Sequence, residues 1–419
     1  MSRKGKVLKI ASITLAALVL LGLLALAVAA LVPFDPIRPE TRNIPDQAPF
    51  RLEEKAGLYL ADDGRELMVT WGSYGGLTAN EFRPLAGGDL VPASADEFIW
   101  KPYSRQGEWR VAFERGEAGV TGMRWRDTAG REHFAQKRAD PAYGQAEVRW
   151  RNNGVELVGL LLTPAAAGPH PGVVFVHGSG RSFRDYLYYL QTADFLARSG
   201  CAVLLPDKRG CGKSGGEWLT STFVDYAMDA LAGVELLGGT DGVDPGRVGL
   251  LGVSQGGWVL PLAASLSEKV RFIVLSSGSA TVLDDTMRYE NECNLRDAGV
   301  PRWLLPLVAP AIAEQIRRNH GAFWELNGRF DPLPYWLELD VPALVLNGGM
   351  DRNVPVKRSL AVLDEVRRRH AGADITVKVF PDSGHGLELG ERPGIRGDCL
   401  QLMADWIRQK TANSVTSDE

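Results

Sequence analysis

The sequence predicts an α/β protein in which a mostly parallel sheet flanked by helices follows a small all-β domain and an N-terminal transmembrane helix. Three observations point to this fold class: an uncharged stretch near the start of the chain, alternating aromatic segments after it, and continuous apolar, β-branched runs from about residue 171 onward. Such runs are typical of strands buried on both faces of a parallel sheet. Open α/β sheets place their sites at the carboxyl ends of the strands, so the turns after these runs are expected to carry the functional residues.

The first 34 residues are predicted to form a membrane anchor or signal segment. Four basic residues lie within residues 3–9, and the stretch 10–34 is uncharged and rich in Leu and Ala. About 20 apolar residues span a bilayer core, so this stretch is long enough to cross, with its basic flank in the cytoplasm. Cleavage at the A-V-A sequence 27–29 is the alternative, which would give a secreted protein. We expect an anchored protein whose remaining domains lie outside the cytoplasm, periplasmic or extracellular.

Residues 35–49, with several prolines, are predicted to be an extended linker. The segment 50–140 then shows short alternating stretches separated by turn residues, which predict a small antiparallel barrel or sandwich. The predicted strands lie at residues 57–60, 67–71, 97–100, 109–113 and 122–125. We expect the tryptophans of this domain to be core residues, and the domain to shape one wall of a site entrance or to help form a dimer.

A nucleophile elbow is predicted at Ser254. The sequence G-V-S-Q-G-G at residues 252–257 directly follows an apolar run and spells G-x-S-x-G at the end of a predicted strand. So tight a turn strains the serine backbone, so we expect the glycines two before and two after Ser254 to be required sterically. The run that follows predicts a helix whose N-terminus would stabilise negative charge developing near the serine.

The predicted strand 171–176 ends in the sequence H-G-S-G at residues 177–180. A turn at this place offers one backbone N–H to a tetrahedral oxyanion, and the residue after the nucleophile offers the other. We assign these donors to Ser179 and Gln255. His177 is expected to hold the loop by hydrogen bonds without transferring protons.

The next predicted strand leads into a glycine-rich loop at residues 207–216. It contains Gly-Lys-Ser, but Asp207 stands where a phosphate-binding loop would carry its first glycine, so nucleotide binding is disfavoured. Asp207 and Arg209 are instead expected to pair and to brace the loops around the nucleophile.

An acid and a histidine follow two later predicted strands. Asp351 comes after the strand 341–347, and His385, between two glycines, comes after the edge-like strand 375–380. His385 would act as the general base for Ser254, and Asp351 would orient the imidazole. Asp382 is the competing acid, and it ranks second because it lies in the same loop as His385.

These motifs, including the D-x-R-G-x-G-x-S-G pattern that begins at Asp207, resemble the α/β-hydrolases over residues 145–412. The similarity is to the serine esterase and peptidase-like branch, near the dienelactone and acyl-peptide hydrolases. It implies the hydrolase fold and a catalytic triad in the chain order Ser, Asp, His. It selects no substrate, because the same superfamily hosts many reactions. The segment 50–140 weakly resembles the lipocalin-like modules appended to some bacterial serine hydrolases.

An insertion of the hydrolase domain is predicted at about residues 280–338, since this stretch is too long for a plain connection and has no strand pattern. We expect a helical cap over the site. Its apolar residues Trp303, Leu304, Phe323 and Trp324 suggest an acyl or aromatic pocket, and packing on the parent domain explains them equally well. Residues 413–419 are predicted to be a polar tail.

Composition argues against several classes of protein. The net charge is −4, which disfavours nucleic acid as a partner. The four cysteines and six histidines show no metal-ligand spacing, so neither a metal nor a cofactor is predicted. Cys201 and Cys211 are expected to be too far apart for an easy disulfide, while pairing of Cys293 with Cys399 stays open.

The sequence therefore predicts a membrane-anchored serine hydrolase that cleaves small-molecule esters, thioesters or small amides through an acyl-enzyme on Ser254. A peptidase or acyl-aminoacyl hydrolase is the alternative, for which we expect an acidic or basic pocket that binds a peptide terminus. A non-catalytic binding module of the cell envelope is a third, less favoured hypothesis. The natural substrate and the oligomeric state stay open.

Overall fold

The computed structural model describes residues 51–412, except 75, 84, 104–106 and 128, together with Gly22. Within these residues a closed eight-stranded barrel is followed by an eight-stranded sheet with helices on both faces. The domain limits, the linker 35–49 and the tail 413–419 stay predictions, and both the linker and the tail lie outside the described residues.

The first eight strands form an up-and-down antiparallel barrel, which β1 closes by pairing with β8. A short helix, α1 (Leu52–Lys55), precedes it. The strands are β1 (Gly57–Ala61), β2 (Glu66–Trp71), β3 (Leu77–Phe82), β4 (Leu85–Pro92), β5 (Glu97–Pro102), β6 (Trp109–Gly116), β7 (Gly119–Arg126) and β8 (Glu132–Lys137). Of the two predicted architectures, the barrel is therefore the one found.

The barrel interior is built around aromatic side chains. Trp100 is 2% exposed and makes edge-on contacts with Trp109 and Trp125, with ring centroids 4.9 and 6.2 Å apart. The prediction that these tryptophans are core residues is confirmed. Strands β3, β4 and β8 were not predicted, since β4 contains two glycines and β8 is largely polar. One of those glycines, Gly88, is needed because a Cβ there would lie 2.4 Å from the Lys101 carbonyl oxygen.

The second sheet has the order β16-β15-β14-β13-β11-β12-β10-β9. Its strands are β9 (Tyr143–Asn152), β10 (Val155–Pro164), β11 (His170–Val176), β12 (Ala202–Pro206), β13 (Val243–Val253), β14 (Ile273–Ser276), β15 (Ala343–Gly348) and β16 (Ile375–Phe380). From β12 and β11 through β16 the strands are parallel, while β9 and β10 form an antiparallel hairpin. The prediction of β16 as an edge strand is confirmed. The hairpin was not predicted.

Helices cover both faces of this sheet and bury two apolar cores. One core involves α3 (Phe223–Gly238), α4 (Gly256–Leu266) and α9 (Val356–Arg369), and the other involves α2 (Leu187–Arg198) and α10 (Gly397–Ala412). Between β14 and β15 lie four further helices, α5 (Leu283–Asp297), α6 (Leu305–Asn319), α7 (Gly321–Asn327) and α8 (Leu333–Leu337). The insertion is thus helical, as predicted.

Buried charges join the barrel to the sheet. Arg184 is fully buried, and its Nη2 donates to the Gly72 carbonyl (3.0 Å) and to Glu147 Oε2 (2.5 Å). Asp207 Oδ1 accepts from Ser73 Oγ (2.6 Å) and from the Arg184 backbone N–H (3.1 Å). The predicted Asp207–Arg209 pair is therefore wrong.

Arg209 instead binds Asp229 on α3, with Nε and Nη2 lying 2.7 and 2.5 Å from the carboxylate oxygens. Asp207 directly follows β12, whereas Arg209 begins a turn, so Asp207 contacts Ser73 of the barrel while Arg209 contacts Asp229 of the helix.

The predicted membrane anchor must be corrected. Among the described residues, no helix has both the length and the apolar character needed to span a bilayer. This finding contradicts the membrane association and the location outside the cytoplasm that were built on the anchor, and both are withdrawn. The segment 1–34 on which the prediction fell lies outside the described residues, apart from Gly22.

All four cysteines are free and buried, so Cys293 and Cys399 are not paired with each other. Across the described part of the chain, no group of three or more His, Cys, Asp or Glu side chains is arranged to hold a metal ion.

Candidate active site

Ser254 lies in the turn between β13 and α4, at the carboxyl edge of the parallel sheet. Its backbone has φ of +51°, in the left-handed region, which costs a non-glycine residue about 1–2 kcal/mol. The turn is held by two backbone hydrogen bonds, from the Ser254 N–H to the Ser276 carbonyl (2.9 Å) and from the Gly257 N–H to the Ser254 carbonyl (3.0 Å). The strained conformation presents the side chain at the top of the sheet.

Only one of the two predicted glycine requirements around Ser254 has a steric cause. A Cβ on Gly252 would lie 2.4 Å from Leu260 Cδ1 and 2.9 Å from the backbone of Gly256. A Cβ on Gly256 would meet nothing closer than 3.4 Å, which is ordinary contact, so that part of the prediction is wrong. The next residue, Gly257, has no room for a side chain, because a Cβ there would lie 2.1 Å from the Ser279 carbonyl oxygen.

The structure brings His385 and Asp351 together from the ends of β16 and β15. His385 Nδ1 lies 2.8 Å from Asp351 Oδ2, and the Asp351 side chain is fully buried. The other oxygen, Oδ1, accepts the backbone N–H groups of Asn353 (2.8 Å) and Val354 (2.9 Å). These contacts orient the carboxylate. Asp351 binds His385 through Nδ1, so the other ring nitrogen, Nε2, does not contact Asp351.

Asp382 does not contact His385 in the described structure. Its carboxylate binds Arg396 Nη1 at 2.7 Å, and its side chain is about half exposed. The geometry therefore favours Asp351 over Asp382 as the partner of His385.

Ser254 and His385 line the same cavity. Among the described residues, no hydrogen bond joins the two side chains. Catalytic hydrogen bonds are often long in unliganded enzymes and tighten when substrate binds. The arrangement is therefore compatible with proton transfer between them during a reaction.

The loop after β11 lies against the nucleophile. A Cβ on Gly178 would lie 3.5 Å from Ser254 Cβ, and the Gly178 N–H is already used by Tyr189 Oη at 3.2 Å. In the described structure, no group accepts the backbone N–H of Ser179 or of Gln255. The assignment of these two N–H groups as oxyanion donors stays a prediction.

His177 has the structural role that the sequence predicts. It is 4% exposed, and its Nε2 lies 2.5 Å from the Pro206 carbonyl oxygen. Burial, with a smaller effect of the nearby Lys208 charge, lowers the pKa of His177 to about 4. The ring is therefore neutral near pH 7 and donates Nε2–H to the carbonyl, which ties β11 to the end of β12.

A cavity of about 1040 Å³ opens above Ser254. The sheet side supplies aromatic residues from the loop after β11 and from α2: Phe183, Tyr186, Tyr188 and Tyr189. The barrel contributes Tyr74, Leu85 and Tyr103, and the cap contributes Thr286, Met287 and Glu290. The barrel and the cap thus form two walls of one cavity.

The aromatic residues of the cap do not line this cavity, contrary to one of the two interpretations of the sequence. Trp303 is 73% exposed, while Phe323 and Trp324 pack against the core of the sheet. The packing interpretation is therefore the one found for Phe323 and Trp324. Leu304 likewise does not line the cavity.

A chain of ring contacts runs from the barrel to the loop beside Ser254. Tyr74 contacts Phe183, Phe183 contacts Tyr186, and Tyr186 stacks on Tyr189, with centroids 5.1, 5.4 and 5.8 Å apart. The sequence analysis missed these residues. Y-x-Y-Y at residues 186–189 is a visible aromatic cluster, but only the fold shows that it faces the serine.

Lys208 was also missed. It occupies the variable position of the D-x-R-G pattern, and it is buried under the loop that carries Ser179. A lysine directly after a buried strand was the only signal available in the sequence.

Comparisons with known proteins identify the family to which the chain belongs. The model of the Alpha/beta hydrolase family matches residues 173–395. The esterase EstD of Thermotoga maritima is 25% identical over 343 residues, covering 74% of this chain and 77% of EstD. An uncharacterized peptidase of Bacillus subtilis, YuxL, is 22% identical over 61% of this chain but only 37% of its own length.

A solved structure, the acylaminoacyl peptidase of Pyrococcus horikoshii, matches with a TM-score of 0.55 at 17% identity. The match covers 83% of this chain and 55% of the peptidase, and it bears on the fold alone. The chain belongs to the α/β-hydrolase family. It is a hydrolase of the serine type, with esterases and peptidases among its relatives.

Proposed function

We propose that this protein is a carboxylic ester hydrolase that works through Ser254, His385 and Asp351. The observation that carries the proposal is the 2.8 Å contact of His385 Nδ1 with the buried Asp351 carboxylate, in a cavity that also contains the strained Ser254. A carboxylate on Nδ1 leaves Nε2 to accept a proton, which is the tautomer that a general base requires.

In the proposed reaction, Ser254 Oγ attacks the ester carbonyl while His385 Nε2 takes its proton. The N–H groups of Ser179 and Gln255 stabilise the oxyanion of the tetrahedral intermediate. His385 then protonates the departing alcohol, which leaves an acyl group on Ser254. Water, deprotonated by the same histidine, releases the acid and restores the serine.

EstD supports the choice of esters, because it is similar over most of both chains. Thioesters and small amides would use the same steps, and amides would demand more of His385 because an amine is the poorer leaving group. The cavity is large enough for an acyl chain beyond acetate, so we expect activity on short and medium acyl esters.

Cleavage of acylated peptides is the second candidate, and the cavity-lining residue that favours it is Arg181. No carboxylate of the described residues lies within 4.0 Å of the Arg181 guanidinium. This guanidinium could therefore bind the carboxylate of a peptide substrate. Glu290 already accepts from Asn353 Nδ2 at 2.6 Å, and burial raises its pKa, which makes it the poorer site for an amine.

The test is hydrolysis of p-nitrophenyl esters of graded acyl length, beside acetyl-amino-acid p-nitroanilides, by the wild type and by Ser254→Ala. We expect ester turnover that falls by up to about 10⁶-fold in the variant. Retained turnover in Ser254→Ala would contradict the mechanism. Preference for the anilides would move the assignment to the peptidase candidate, and failure to react with a fluorophosphonate would favour a non-catalytic module.

A further inference from the structure

A single buried ammonium group connects the two halves of the candidate oxyanion site. Lys208, the second residue after β12, is 5% exposed and has no role in the proposed proton transfers. Its Nζ lies 2.8 Å from the Gly178 carbonyl oxygen, 3.0 Å from the Gly180 carbonyl oxygen and 2.9 Å from Gln255 Oε1. Two contacts are therefore to the loop after β11, and one is to the turn after Ser254.

The contact with Gly178 fixes the direction of the Ser179 N–H. That carbonyl and that N–H belong to the same peptide group, which is trans, so they point in opposite directions. Lys208 holds the carbonyl from the buried side. The N–H of that peptide group must then point away from Lys208. A cation on the carbonyl also polarises the peptide group and strengthens its N–H as a donor.

The contact with Gln255 acts on the other donor. Gln255 is 1% exposed, and its side chain is held by the same Nζ that holds the loop. One atom, Lys208 Nζ, therefore contacts both residues whose backbone positions set the two N–H groups: it binds the Gly178 carbonyl, next to the Ser179 N–H, and the side chain of Gln255. Because the two donors come from segments far apart in sequence, no local hydrogen bond could set their separation.

The hydrogen bonds and the ring beside Lys208 favour its charged form, and burial opposes it. The three acceptor oxygens match the three N–H groups of an ammonium, and the ring of Tyr226 lies 4.8 Å from Nζ, within cation–π distance. Burial lowers the pKa of Lys208 to about 7, against a smaller opposing effect of Cys211. Replacement by an apolar side chain would leave three acceptors without this donor.

We propose that Lys208 is a positioning residue that sets the direction and separation of the Ser179 and Gln255 N–H groups for the oxyanion. The proposal rests on the serine mechanism proposed above. Lys208 does not touch the substrate, so its removal should weaken binding of the tetrahedral state and leave ground-state binding unchanged.

The test compares Lys208→Met with the wild type on p-nitrophenyl butyrate and on an octyl trifluoromethyl ketone. Ser254 adds to this ketone, its proton passing to His385, and the resulting hemiketal oxyanion needs the same donors. We expect kcat to fall about 10²-fold, since a misplaced donor costs nearly as much as a missing one. KM should stay within about threefold, and the inhibition constant of the ketone should rise in parallel with the loss of kcat.

The matched control is Lys213→Met, a lysine of the same loop that binds Glu147 and does not contact the loop after β11. Its kcat and ketone affinity should match the wild type. If Lys208→Met keeps kcat within about threefold, or loses kcat without losing ketone affinity, the proposal is wrong.

If Lys208→Met does not fold, as judged by its circular dichroism, Gln255→Met decides. This variant keeps the backbone N–H and removes only the side-chain acceptor, so a loss of kcat and of ketone affinity at constant KM supports the proposal, and wild-type values overturn it. Ser254→Ala is measured alongside. Wild-type turnover in Ser254→Ala would refute the serine mechanism itself. Wild-type turnover in Gln255→Met or Lys208→Met, with Ser254→Ala inactive, would refute only the positioning role of Lys208.

Discussion

The barrel and the cap line opposite parts of one cavity, but they are attached to the sheet by different kinds of contact. The barrel meets the sheet through hydrogen bonds to buried charged groups, since the Gly72 carbonyl and Ser73 Oγ bind Arg184 and Asp207, which are both fully buried. The cap helix α5 meets the acid loop through uncharged donors and through an ion pair of Arg352 with Asp297, in which both side chains are about half exposed. Tyr289 Oη donates to the Asp351 carbonyl (2.9 Å), and Asn353 Nδ2 donates to Glu290 (2.6 Å).

This difference sets how firmly each wall is held. A hydrogen bond to a charged group contributes about 1.5–3 kcal/mol, whereas a typical hydrogen bond contributes about 0.5–1.5 kcal/mol. The barrel wall is thus fixed to the sheet that carries Ser254. The cap wall can shift at lower cost, and its exterior carries exposed apolar residues such as Trp303 and Leu307, which are 73% and 67% exposed.

The strongest test of the comparison is Arg184→Met. It leaves Asp207 buried without its cation, so we expect the free energy of unfolding to fall by about 3–5 kcal/mol, measured by urea denaturation. Lys213→Met is the matched control, because it also binds Glu147 but is partly exposed, and it should cost less than about 1 kcal/mol. Equal losses in the two variants would show that the junction does not depend on the buried pair.

The junction should also have a pH dependence that Asp207→Asn removes. Burial raises the pKa of Asp207 to about 6 and outweighs the lowering effect of Arg184, while the unfolded chain titrates near 3.8. The native state therefore binds more protons between these values, so the contribution of Asp207 to stability falls as pH rises through this window.

The measurement is the unfolding free energy of the wild type minus that of Asp207→Asn at pH 4 and pH 7. We expect this difference to decrease by about 2 kcal/mol from the lower to the higher pH. The change of this difference with pH is the readout, because the substitution also alters the hydrogen bonds to Ser73 and Arg184 and so shifts the difference at every pH. A difference that stays constant or increases would contradict the prediction.

The two walls can be compared directly with Tyr103→Ala on the barrel and Met287→Ala on the cap. For p-nitrophenyl octanoate we expect kcat/KM to fall about 3- to 10-fold in Tyr103→Ala, because the fixed barrel cannot close the space left by the ring. The loss in Met287→Ala should be smaller, since the cap can move inward. Both variants should hydrolyse p-nitrophenyl acetate within about twofold of the wild type, and a larger loss from the cap variant would reverse the comparison.

The smallest effect is expected for Trp303→Ser. The side chain is largely exposed and lies outside the cavity, so stability should change by no more than about 0.5 kcal/mol, with kcat/KM unchanged. A selective loss of kcat/KM on long acyl esters would instead support the interpretation that Trp303 belongs to an acyl pocket of the cap.

The sequence predicts the sheet better than the barrel, and the reason is physical. The parallel strands are buried on both faces, so they appear as continuous apolar runs such as that of β11. Strand β4 contains two glycines and β9 alternates with charged residues, so neither has a distinct pattern, whereas β10 has an apolar run at residues 157–162 that was not used.

The candidate site shows the same division. Ser254, Asp351 and His385 were chosen from turns that follow predicted strands, where local chemistry is visible in the sequence. Lys208 and the tyrosines 186–189 were not, because their relation to Ser254 arises only when separate strands and a helix come together.

The sequence by itself determined the α/β-hydrolase fold and the serine-hydrolase class, since turn motifs and strand periodicity depend on neighbouring residues. Only the tertiary structure decided which buried charges meet. It pairs Asp207 with Arg184 and Arg209 with Asp229, although Asp207 and Arg209 are two residues apart. It also decided that the barrel, and not the tryptophans of the cap, supplies aromatic side chains to the cavity. Such contacts depend on the directions of side chains from distant segments, which no local pattern specifies.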